Sequence, residues 1–451
     1  MNKQIREDDK NIDWFRAASP YINAHRGKTL VIGLPGNWLR SNLLPTLAHD
    51  LTLLSHLGLR LVLCFGLRAQ VDDQLARKKE HSHIVDGRRV TDSNALATII
   101  REAGIARNEL EARLSMGLPN TPMAGARLAI TSGNFVTAQP FGVHEGVDFQ
   151  HTGSVREVHI SAINALLDAG HLVLLPPIGY SLTGEVFNVT MTEVATKCAI
   201  ELSADKLVFF VDSLPVDEND EALKQASTAR VQRMLDDDSI PLTSESVADL
   251  ANLSQVLQNA VDACHMGIER VHLLESNDPT ALLRELYTRD GSGTMITTDR
   301  WEHIRPATIA DVGGIIELIA PLQANGTMVS RSREELEIDI EHFVVSERDG
   351  MVVACAAMYL ESESSTAEIA CIATHPDYQG KGRADQLLTH LEYTAQSLNY
   401  LTARILSTHT GHWFVARGYS ETSPQDLPPS RRVSYNEQRN SKVYIKNLDA
   451  T

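Results

Sequence analysis

Positive charge, cysteine and long apolar runs are all scarce in this sequence, and each scarcity argues against a class of function. The 451 residues carry 41 Lys and Arg against 58 Asp and Glu, a net charge of −17. A protein that grips a phosphate backbone normally presents a basic face, so we expect no nucleic-acid partner. No stretch approaches the roughly 20 apolar residues of a membrane helix, and the N-terminus lacks a secretory apolar run. We therefore expect a cytoplasmic protein with no membrane partner.

The cysteines indicate reduced thiols rather than a disulfide framework or a zinc site, because their number is odd and no C-x-x-C motif occurs. Two histidine pairs, His81/His83 and His409/His412, lack the carboxylate that would complete a familiar ligand set. We therefore expect no metal. The five widely spaced cysteines are Cys64, Cys198, Cys264, Cys355 and Cys371.

The first 300 residues alternate short apolar runs with helical patterns, which is typical of a mainly parallel sheet covered on both faces. Residues 126–140 alternate around Ser-Gly-Asn and predict a β-hairpin. Residues 213–243 are acidic and predict an exposed excursion containing one helix. Strands are predicted at 28–34, 59–65, 171–177, 206–212 and 271–274, and helices at 43–57, 94–114, 155–169, 190–202 and 247–264.

The pattern changes near residue 300, where a strand meander replaces the alternation of strands and helices. Thr308-x-x-Asp311 can cap a helix. Strand candidates then follow at 342–348, 351–360 and 367–374, joined by short turns that favour antiparallel pairing. A chain of this length is expected to form two or three domains. We therefore predict an α/β protein with one domain over 1–298 and a second, α+β domain over 299–451.

A glycine-rich turn, Gln379 to Ala384 (QGKGRA), lies between a predicted strand and a predicted helix. Glycine lets backbone N–H groups approach a ligand, and the first turn of a helix favours an anion. Lys381 and Arg383 add positive charge to the same turn. Together these features suit a pyrophosphate, although a short glycine pattern before a helix is more often only a turn.

The turn resembles the Gln/Arg-x-x-Gly-x-Gly/Ala turn of the GNAT acetyltransferases, which binds the pyrophosphate of acetyl-CoA. Longer stretches resemble the bacterial N-acetylglutamate synthases over almost the whole chain. The resemblance implies acetyl transfer from acetyl-CoA, as co-substrate, to the amine of L-glutamate, the first step of arginine biosynthesis (EC 2.3.1.1), with no permanently bound cofactor. The matching stretches include RVTDSNAL (89–96), LLRELYTRDGSGT (282–294), VSRSREELE (329–337), EIACIATHPDYQGKGRADQLL (368–388), LSTHTGHWFVARGY (406–419) and RNSKVYI (439–445).

The resemblance also implies roles for single residues. Glu368 would remove the proton from the amine, and Ser407 would protonate the departing thiolate; read alone, they are a strand-edge carboxylate and a helix cap. A nucleophilic role for Cys371 is rejected, because no nearby base or cation would activate its thiol. The implied glutamate contacts are Arg331, the backbone of Cys371, Arg439 and Ser441. The implied acetyl-CoA contacts are Ile372, Ala373, Gln379, Gly380, Lys381, Gly382, Arg383 and Ala384.

The first 300 residues resemble the amino-acid kinase family, a three-layer αβα fold, but lack its phosphate-holding residues. The kinase lysine position is Gly33, and Pro35 replaces one of the paired glycines. Leu67 and Arg68 stand in the second glycine loop. The segment SQVLQNAVDAC (254–264) holds no lysine where the kinases carry one. Without these charges a phosphoryl group has little stabilisation, so we expect a kinase fold that does not phosphorylate.

Residues 272–294 resemble the arginine-binding signature of arginine-sensitive members of both families. The resemblance implies that His272, Glu285 and Gly291 contact L-arginine as a feedback inhibitor, with Tyr21 closing the site from the N-terminal helix. Read alone, Glu285 is an exposed helix carboxylate paired with Arg289. The resemblance further implies a ring-like homo-oligomer, a hexamer, assembled through the kinase-like domain and the N-terminal helix.

Two other functions stay open at this point. One is an acetylglutamate kinase with an appended acetyltransferase, against which the missing lysine and glycine loop count. The other is a non-catalytic arginine-sensing or assembly protein. ADP formation would support the first, and absence of thiol release from acetyl-CoA and glutamate would support the second.

Overall fold

The chain divides into two compact units, one over residues 1–299 and one over 300–451. The sequence predicted the division after residue 298. The computed structural model describes residues 7–448 except 81–82, 86, 117–127, 218–220, 238–239, 241–246, 299–302, 349, 362–363, 381, 409, 434 and 436–440. Each unit has its own sheet and core.

The first unit alternates strands and helices along the chain. Its strands are β1 (Thr29–Leu34), β2 (Arg60–Phe65), β3 (Ile84–Val85), β4 (Arg88–Arg89), β5 (Ala129–Ser132), β6 (Val136–Pro140), β7 (Val143–His144), β8 (Val147–Asp148), β9 (Gly153–Val158), β10 (His171–Leu175), β11 (Ile178–Tyr180), β12 (Val186–Asn188), β13 (Lys206–Val211), β14 (Gln225–Ser227), β15 (Val271–Glu275) and β16 (Thr294–Thr297). Its helices are α1 (Glu7–His25), α2 (Leu44–His56), α3 (Arg68–Arg77), α4 (Ser93–Leu114), α5 (Ile160–Asp168), α6 (Met191–Leu202), α7 (Thr228–Asp236), α8 (Val247–His265) and α9 (Ala281–Tyr287).

An eight-stranded sheet forms the centre of this unit, in the order β14-β16-β15-β13-β1-β2-β10-β5. The strands from β15 to β5 run parallel, and β16 pairs antiparallel with β15. Every residue of β1 is buried, as expected for a strand covered on both faces. Val31 packs with α5, α6 and α8, whereas its neighbours Leu30 and Ile32 pack with α2 and α4. The predicted α/β fold with a mainly parallel sheet is therefore confirmed.

Two local predictions in this unit are wrong. The helix predicted at 155–169 begins only at Ile160, because Gly153–Val158 is strand β9, whose Val155 and Val158 enter the core. The hairpin predicted at 126–140 does not form. Strand β5 joins the large sheet, while β6 joins a separate four-stranded sheet in the order β12-β11-β6-β9. The first error arises because Val155 and Val158 also fit a helical spacing, and the second because local alternation does not say which sheet a strand joins.

The acidic segment 213–243 contains the predicted helix, α7, in its described part. It also contributes strand β14, which pairs in parallel with β16 and extends the large sheet at its edge. The segment is therefore more closely integrated into the fold than an exposed excursion.

The second unit holds a seven-stranded sheet in the order β17-β18-β19-β20-β21-β23-β22, antiparallel except between β20 and β21. This confirms the predicted strand meander, and the Thr308–Asp311 capping box is also present. The strands are β17 (His303–Pro306), β18 (Phe343–Arg348), β19 (Met351–Glu361), β20 (Thr366–Thr374), β21 (Thr402–Ser407), β22 (Ser420–Thr422) and β23 (Lys442–Asn447). The helices are α10 (Val312–Ala324), α11 (Arg333–Ile338), α12 (Arg383–Ser397), α13 (Gly411–Val415) and α14 (Pro429–Val433).

Candidate active site

Polar side chains gather on one face of the second unit's sheet, across β19, β20 and β21. Ala367 and Ile369 of β20 pack with helix α12 on the opposite face. Because side chains alternate along a strand, Glu368 between them faces the other way. Its cross-strand neighbours are Tyr359 on β19 and Arg404 on β21, so the three side chains share one face.

Glu368 is buried, 7% exposed, and two arginines donate to its carboxylate. Arg404 donates Nε at 3.1 Å and Nη2 at 2.8 Å to Oε2. Arg431 of α14 donates Nε at 2.8 Å to Oε2 and Nη2 at 2.9 Å to Oε1. Burial alone would raise the pKa of Glu368, but the hydrogen bonds and charges of Arg431 and Arg404 outweigh it and lower that pKa. Glu368 is therefore ionised here, and its lone pairs are occupied.

The two arginines differ in how they are held. The Arg404 side chain is 3% exposed and also pairs with Glu361 at the end of β19. Burial lowers the pKa of Arg404, but Glu361 and Glu368 more than compensate and raise it. The Arg431 side chain is 27% exposed, on a helix of five residues. Arg404 is thus the inner, fixed cation of this charge-balanced cluster, and Arg431 is the outer one.

Arg331 lies beside the same cluster, just before α11. Its Nη1 donates to the Tyr359 hydroxyl at 2.9 Å and to Asp339 at 2.8 Å, and its guanidinium stands 5.6 Å from the centre of the Tyr359 ring. Tyr359 is the cross-strand neighbour of Glu368. The structure therefore brings two predicted site residues, Arg331 and Glu368, to either side of one tyrosine.

A β-bulge interrupts β20 at Cys371. The ladder with β19 shifts register between Cys355 and Ala357, and Cys371 takes a φ of 53°. Left-handed backbone at a non-glycine residue costs free energy, and bulges of this kind re-aim backbone groups beside functional sites. Ile372 follows within the bulge, and Ala373 resumes the ladder opposite Cys355. The predicted contact between the Cys371 backbone and glutamate stays a prediction.

Strands β20 and β21 separate directly after Glu368. Their parallel ladder links residues 366–368 with 402–404, and no further pair joins them among the described residues, although β20 continues to Thr374 and β21 to Ser407. Ser407 lies at the open end of β21, half-buried. Its Oγ is 2.9 Å from the Thr410 Oγ1 and accepts from the Thr410 N–H at 3.2 Å. The serine thus makes the cap-like contact named as its alternative role.

The glycine-rich turn leads from β20 into α12. Gly380 and Gly382 have φ values of 76° and 78°, a conformation that other residues rarely adopt, and space is open beside both. Helix α12 begins at Arg383, followed by Ala384, and its N-cap residue, Gly382, has no side chain to accept from the first N–H groups of the helix. The Arg383 guanidinium stacks on Tyr378, 4.6 Å from the ring centre, and donates to its carbonyl. The Gln379 side chain donates to the Thr374 carbonyl at 3.2 Å.

Of three other predicted residues in this unit, the structure describes one, Ser441. Ser441 is buried just before β23, and its carbonyl accepts from the Tyr435 hydroxyl at 2.7 Å. Arg439 and Lys381 lie outside the described residues. Their predicted contacts with glutamate and acetyl-CoA therefore stay predictions.

In the first unit, His272 of β15 and Glu285 of α9 form a hydrogen bond of 2.6 Å between Nδ1 and Oε1. The Oε2 atom of Glu285 accepts the backbone N–H groups of Ser292 and Gly293 at 2.7 and 2.9 Å. Burial opposes ionisation, but His272 and the two N–H groups prevail and lower the pKa of Glu285 to about 2. The interpretation of Glu285 as an exposed helix carboxylate is wrong, because its side chain is 7% exposed.

Gly291 begins the turn that supplies these N–H groups. Its φ is 60°, and a Cβ placed on it would stand 2.5 Å from the Glu285 Oε2. Tyr21 is half-buried on α1 and packs against the core beside α9, to which His25 ties the helix by a hydrogen bond of 2.8 Å to the Leu286 carbonyl. The structure therefore places the four predicted arginine contacts on α1, β15, α9 and the turn that follows α9.

The loops after β1 and β2, where the kinases hold phosphate, contact each other. A Cβ at Gly33 would stand 2.5 Å from the Phe209 ring and 2.7 Å from the Met191 sulfur, so a side chain there would require these two residues to shift. One at Gly36 would stand 2.9 Å from the Gly66 carbonyl oxygen, and the Gln70 amide donates to the Gly36 carbonyl at 2.6 Å. A cavity of ≈ 190 Å³ opens beside these loops.

Sequence reasoning missed three residues of the cluster: Tyr359, Arg404 and Arg431. Arg404 had a detectable signal, since it is the one charged residue inside the apolar strand TARIL. Arg431 had none, because it lies in the polar run PPSRRV, where a solvated charge is the normal expectation. The part of the chain that the structure describes contains no cluster of His, Cys, Asp or Glu suited to a metal. It also contains no helix long and apolar enough to cross a membrane.

Each of the two units matches a known protein family. The profile of the amino acid kinase family matches residues 28–274, and the profile of the acetyltransferase (GNAT) domain matches residues 339–421. Among curated proteins, amino-acid acetyltransferases of Pseudomonas fluorescens (strain Pf0-1) and Pseudomonas syringae pv. tomato are 44% identical. The first match spans 97% of this chain and 99% of the relative, the second 96% and 99%.

Solved structures agree with this placement. The N-acetylglutamate synthase of Neisseria gonorrhoeae complexed with coenzyme A and L-arginine superposes with a TM-score of 0.87 at 35% identity. The same enzyme complexed with coenzyme A and N-acetyl-glutamate gives a TM-score of 0.61 at 35% identity. Each comparison covers 97% of this chain and 99% of the other.

Proposed function

The chain belongs to the family of amino-acid acetyltransferases, and we propose that its acceptor is L-glutamate and its donor acetyl-CoA. The observation that carries the proposal is the meeting of a buried carboxylate with guanidinium groups from separate segments, where β20 and β21 part. Glu368 is a candidate base, and Arg331 and Arg431 offer the paired N–H groups that carboxylates bind best. An acceptor with two carboxylates matches this charge pattern.

The reaction joins the amine nitrogen to the acetyl carbon and breaks the carbon–sulfur bond of the thioester. The ammonium of the acceptor first loses a proton to Glu368, since only the neutral amine is a nucleophile. The tetrahedral intermediate needs N–H donors for its oxyanion, and the bulge at Cys371 presents backbone groups at the opening between the strands. The intermediate then expels the thiolate, which takes a proton from Ser407, and the proton that the attacking nitrogen loses as the amide forms restores the serine hydroxyl.

The turn from Gln379 to Ala384 is the proposed seat of the acetyl-CoA pyrophosphate. Its two left-handed glycines leave open space, and the first N–H groups of α12 have no side-chain cap. Lys381 and Arg383 are proposed to add the positive charge, with Ile372 and Ala373 along the pantetheine arm. The structure of the Neisseria relative contains coenzyme A, and this similarity supports a coenzyme A site in the present chain.

The test is an acetyl-transfer assay that follows thiol release from acetyl-CoA with a panel of amino acids. We expect glutamate to give the highest kcat/KM, with N-acetylglutamate as product. No thiol release with any amino acid would overturn the proposal in favour of a non-catalytic protein. A better acceptor lacking the second carboxylate would overturn the assignment of glutamate.

We further propose that L-arginine binds the first unit and inhibits the transfer, as feedback on the first step of arginine biosynthesis. Because ionised Glu285 can only accept, His272 must donate from Nδ1. Burial and the charge of Lys206 lower the pKa of His272, so its Nε2 is an acceptor, and it has no donor among the described residues. The hydroxyl groups of Tyr287 and Thr294, on the neighbouring α9 and β16, also lack partners there. A guanidinium supplies the missing N–H groups.

The arginine proposal is tested by titrating L-arginine into the transfer assay. We expect arginine to inhibit by weakening the affinity of the protein for its substrates about 5- to 150-fold, the range that a typical coupling free energy produces. A chain with undiminished activity at millimolar arginine would contradict it. His272→Phe removes the acceptor at Nε2 and should abolish inhibition, whereas His171→Phe, on strand β10 of the same sheet but separated from β15 by β13, β1 and β2, is the matched control.

We also propose that the first unit performs no phosphoryl transfer and instead assembles the protein as a hexamer. Gly33 stands at the position of the kinase lysine and supplies no charge, and a side chain there would collide with Phe209 and Met191 as they are packed. Helix α1 exposes Ile12, Trp14 and Phe15, each at least half exposed, which favours a partner surface. ADP formed from ATP and N-acetylglutamate would overturn the first statement. A monomeric mass in solution, measured by light scattering, would overturn the second.

A further inference from the structure

Glu368 presents a chemical contradiction that the proposed function leaves open. A general base needs a free lone pair, yet Arg404 and Arg431 together donate to both of its oxygens. Its lowered pKa makes it a poor acceptor for the proton of an ammonium. In this state Glu368 is held ready but inactive, and something must release it.

The geometry points to Arg431 as the releasing group. We infer that a carboxylate of the bound amino acid takes Arg431 from Glu368, and that this exchange frees Oε1 to accept the proton of the substrate's own ammonium. The inference rests on the proposed function and deepens it, because substrate recognition and base activation become one event. Arg431 then acts as a specificity residue, and a substrate lacking that carboxylate leaves the base inactive.

Three observations single out Arg431 rather than Arg404. The Arg404 side chain is 3% exposed and bridges buried Glu368 to half-buried Glu361, so its departure would break ion pairs with both carboxylates at once. The Arg431 side chain is 27% exposed, so an arriving ligand can reach it. Among the described residues, Arg431 donates hydrogen bonds to Oε1, whereas Arg404 donates to Oε2.

The exchange is energetically mild. Arg431 trades one carboxylate partner for another, and Glu368 keeps Arg404, so no charge is left unpaired. The proton balance also closes: the ammonium donates one proton to Glu368 and becomes the neutral amine that attacks the thioester, and the second proton that the nitrogen loses goes, by way of Ser407, to the departing thiolate. Among the described residues, Tyr359 on β19, Arg404 on β21 and Arg431 on α14 are the charged or titratable groups around Glu368, and Glu361 on β19 joins them through Arg404.

The test compares the wild type with Arg431→Gln on three acceptors. Glutamine lacks the side-chain carboxylate, and 4-aminobutanoate lacks the α-carboxylate, so the pair identifies which carboxylate draws Arg431 away. For glutamate, we expect kcat/KM to fall in the variant. For the analogue lacking the exchanging carboxylate, we expect kcat to rise about tenfold or more, since Glu368 is already released. Arg432→Gln is the matched control, because Arg432 is the next residue on α14 and donates to the Leu427 carbonyl.

The pH dependence supplies a second readout that a merely structural role would not move. In the wild type the acid limb of kcat should lie at higher pH than that of kcat/KM, because the complex holds a released Glu368 and the free enzyme does not. In Arg431→Gln the two limbs should coincide. Equal losses on all three acceptors, or limbs that coincide in the wild type, overturn the inference while glutamate acetylation stands. A wild type that does not acetylate glutamate overturns both.

Discussion

Two largely buried carboxylates, one in each unit, carry the same charge but are held by different kinds of partner. The side chains of Glu285 and Glu368 are 7% and 10% exposed, and both have lowered pKa values. Glu285 is fixed by His272 inside a strand and by two backbone N–H groups of one turn. Glu368 is held by two guanidinium groups.

The difference separates a fixed carboxylate from a rearrangeable one. Backbone N–H groups cannot leave Glu285 without refolding the turn after α9, so that network defines the shape of its site. A guanidinium on a long side chain can leave Glu368 by rotating a few bonds, at the cost of one exchanged ion pair. Proton transfer requires a base whose partners can change, whereas ligand recognition profits from polar groups that stay in place.

Removing the rearrangeable carboxylate should have the largest effect. We expect Glu368→Gln to lower kcat about 10²- to 10⁴-fold, since glutamine cannot accept the ammonium proton. The affinity for acetyl-CoA should change little, because the proposed pyrophosphate seat lies in the turn from Gln379 to Ala384. Steady-state kinetics and calorimetric titration of coenzyme A measure the two effects separately.

Glu392→Gln is the matched control for this prediction. Glu392 lies on α12 of the same unit and accepts from Tyr419 at 2.8 Å and Lys446 at 2.6 Å, so its loss also breaks a paired carboxylate. It should lower thermal stability without a comparable loss of kcat. Full activity in Glu368→Gln would show that the base lies elsewhere. Glu368 and Glu285 would then not differ in catalytic role.

Removing the fixed carboxylate should act on stability. The pKa of Glu285 falls from 4.5 in the unfolded chain to about 2 in the fold, so the ionised form stabilises the fold by about 3 kcal/mol at pH 7. A lowered pKa contributes stability that is fully present above pH 4.5 and is lost as pH falls towards 2. We expect Glu285→Gln to unfold more easily in denaturant at pH 7, with a difference from wild type that shrinks between pH 4.5 and pH 2.

Chemical denaturation followed by circular dichroism at several pH values measures this difference. Glu193→Gln is a suitable control, because Glu193 is another carboxylate of the first unit held by a side chain and a backbone N–H group, those of Arg88 at 3.0 Å and Val155 at 2.7 Å. A stability difference that is the same at pH 7 and pH 3 would contradict the linkage. Glu285 would then contribute through packing rather than charge.

Periodicity in the sequence predicted most of the fold and failed where strands choose between sheets. The strands β1, β2, β10 and β13 are apolar runs that need cover on both faces, and their positions follow from that alone. Strand β9 was read as helix, because Val155 and Val158 also fit a helical spacing. Pairing partners lie far apart in the sequence, so only the folded chain shows that β5 and β6 belong to different sheets.

The candidate site divides in the same way. Glu368, Ser407, Arg331 and the glycine-rich turn stand in segments that resemble known families, and the sequence could name them. The sequence could not show that Glu368 is blocked by Arg431, because the two residues approach only through the fold of α14. Nor could it show that Gly33 is closed by Phe209 and Met191, which requires the packing of β1 against β13 and α6.

The smallest expected effect tests whether the turn after α9 really fixes Glu285. An alanine at position 291 must adopt the left-handed φ of 60°, and its Cβ would stand 2.5 Å from the Glu285 carboxylate. Gly170 also has a left-handed φ, 80°, but nothing within 4 Å of such a Cβ, so Gly170→Ala measures the backbone cost alone, about 1–2 kcal/mol. We expect Gly291→Ala to exceed that loss by about 1–2 kcal/mol, the cost of disturbing the hydrogen bonds from Ser292 and Gly293. Equal losses at the two glycines, measured by denaturant unfolding, would mean that the turn yields and that Glu285 is as rearrangeable as Glu368.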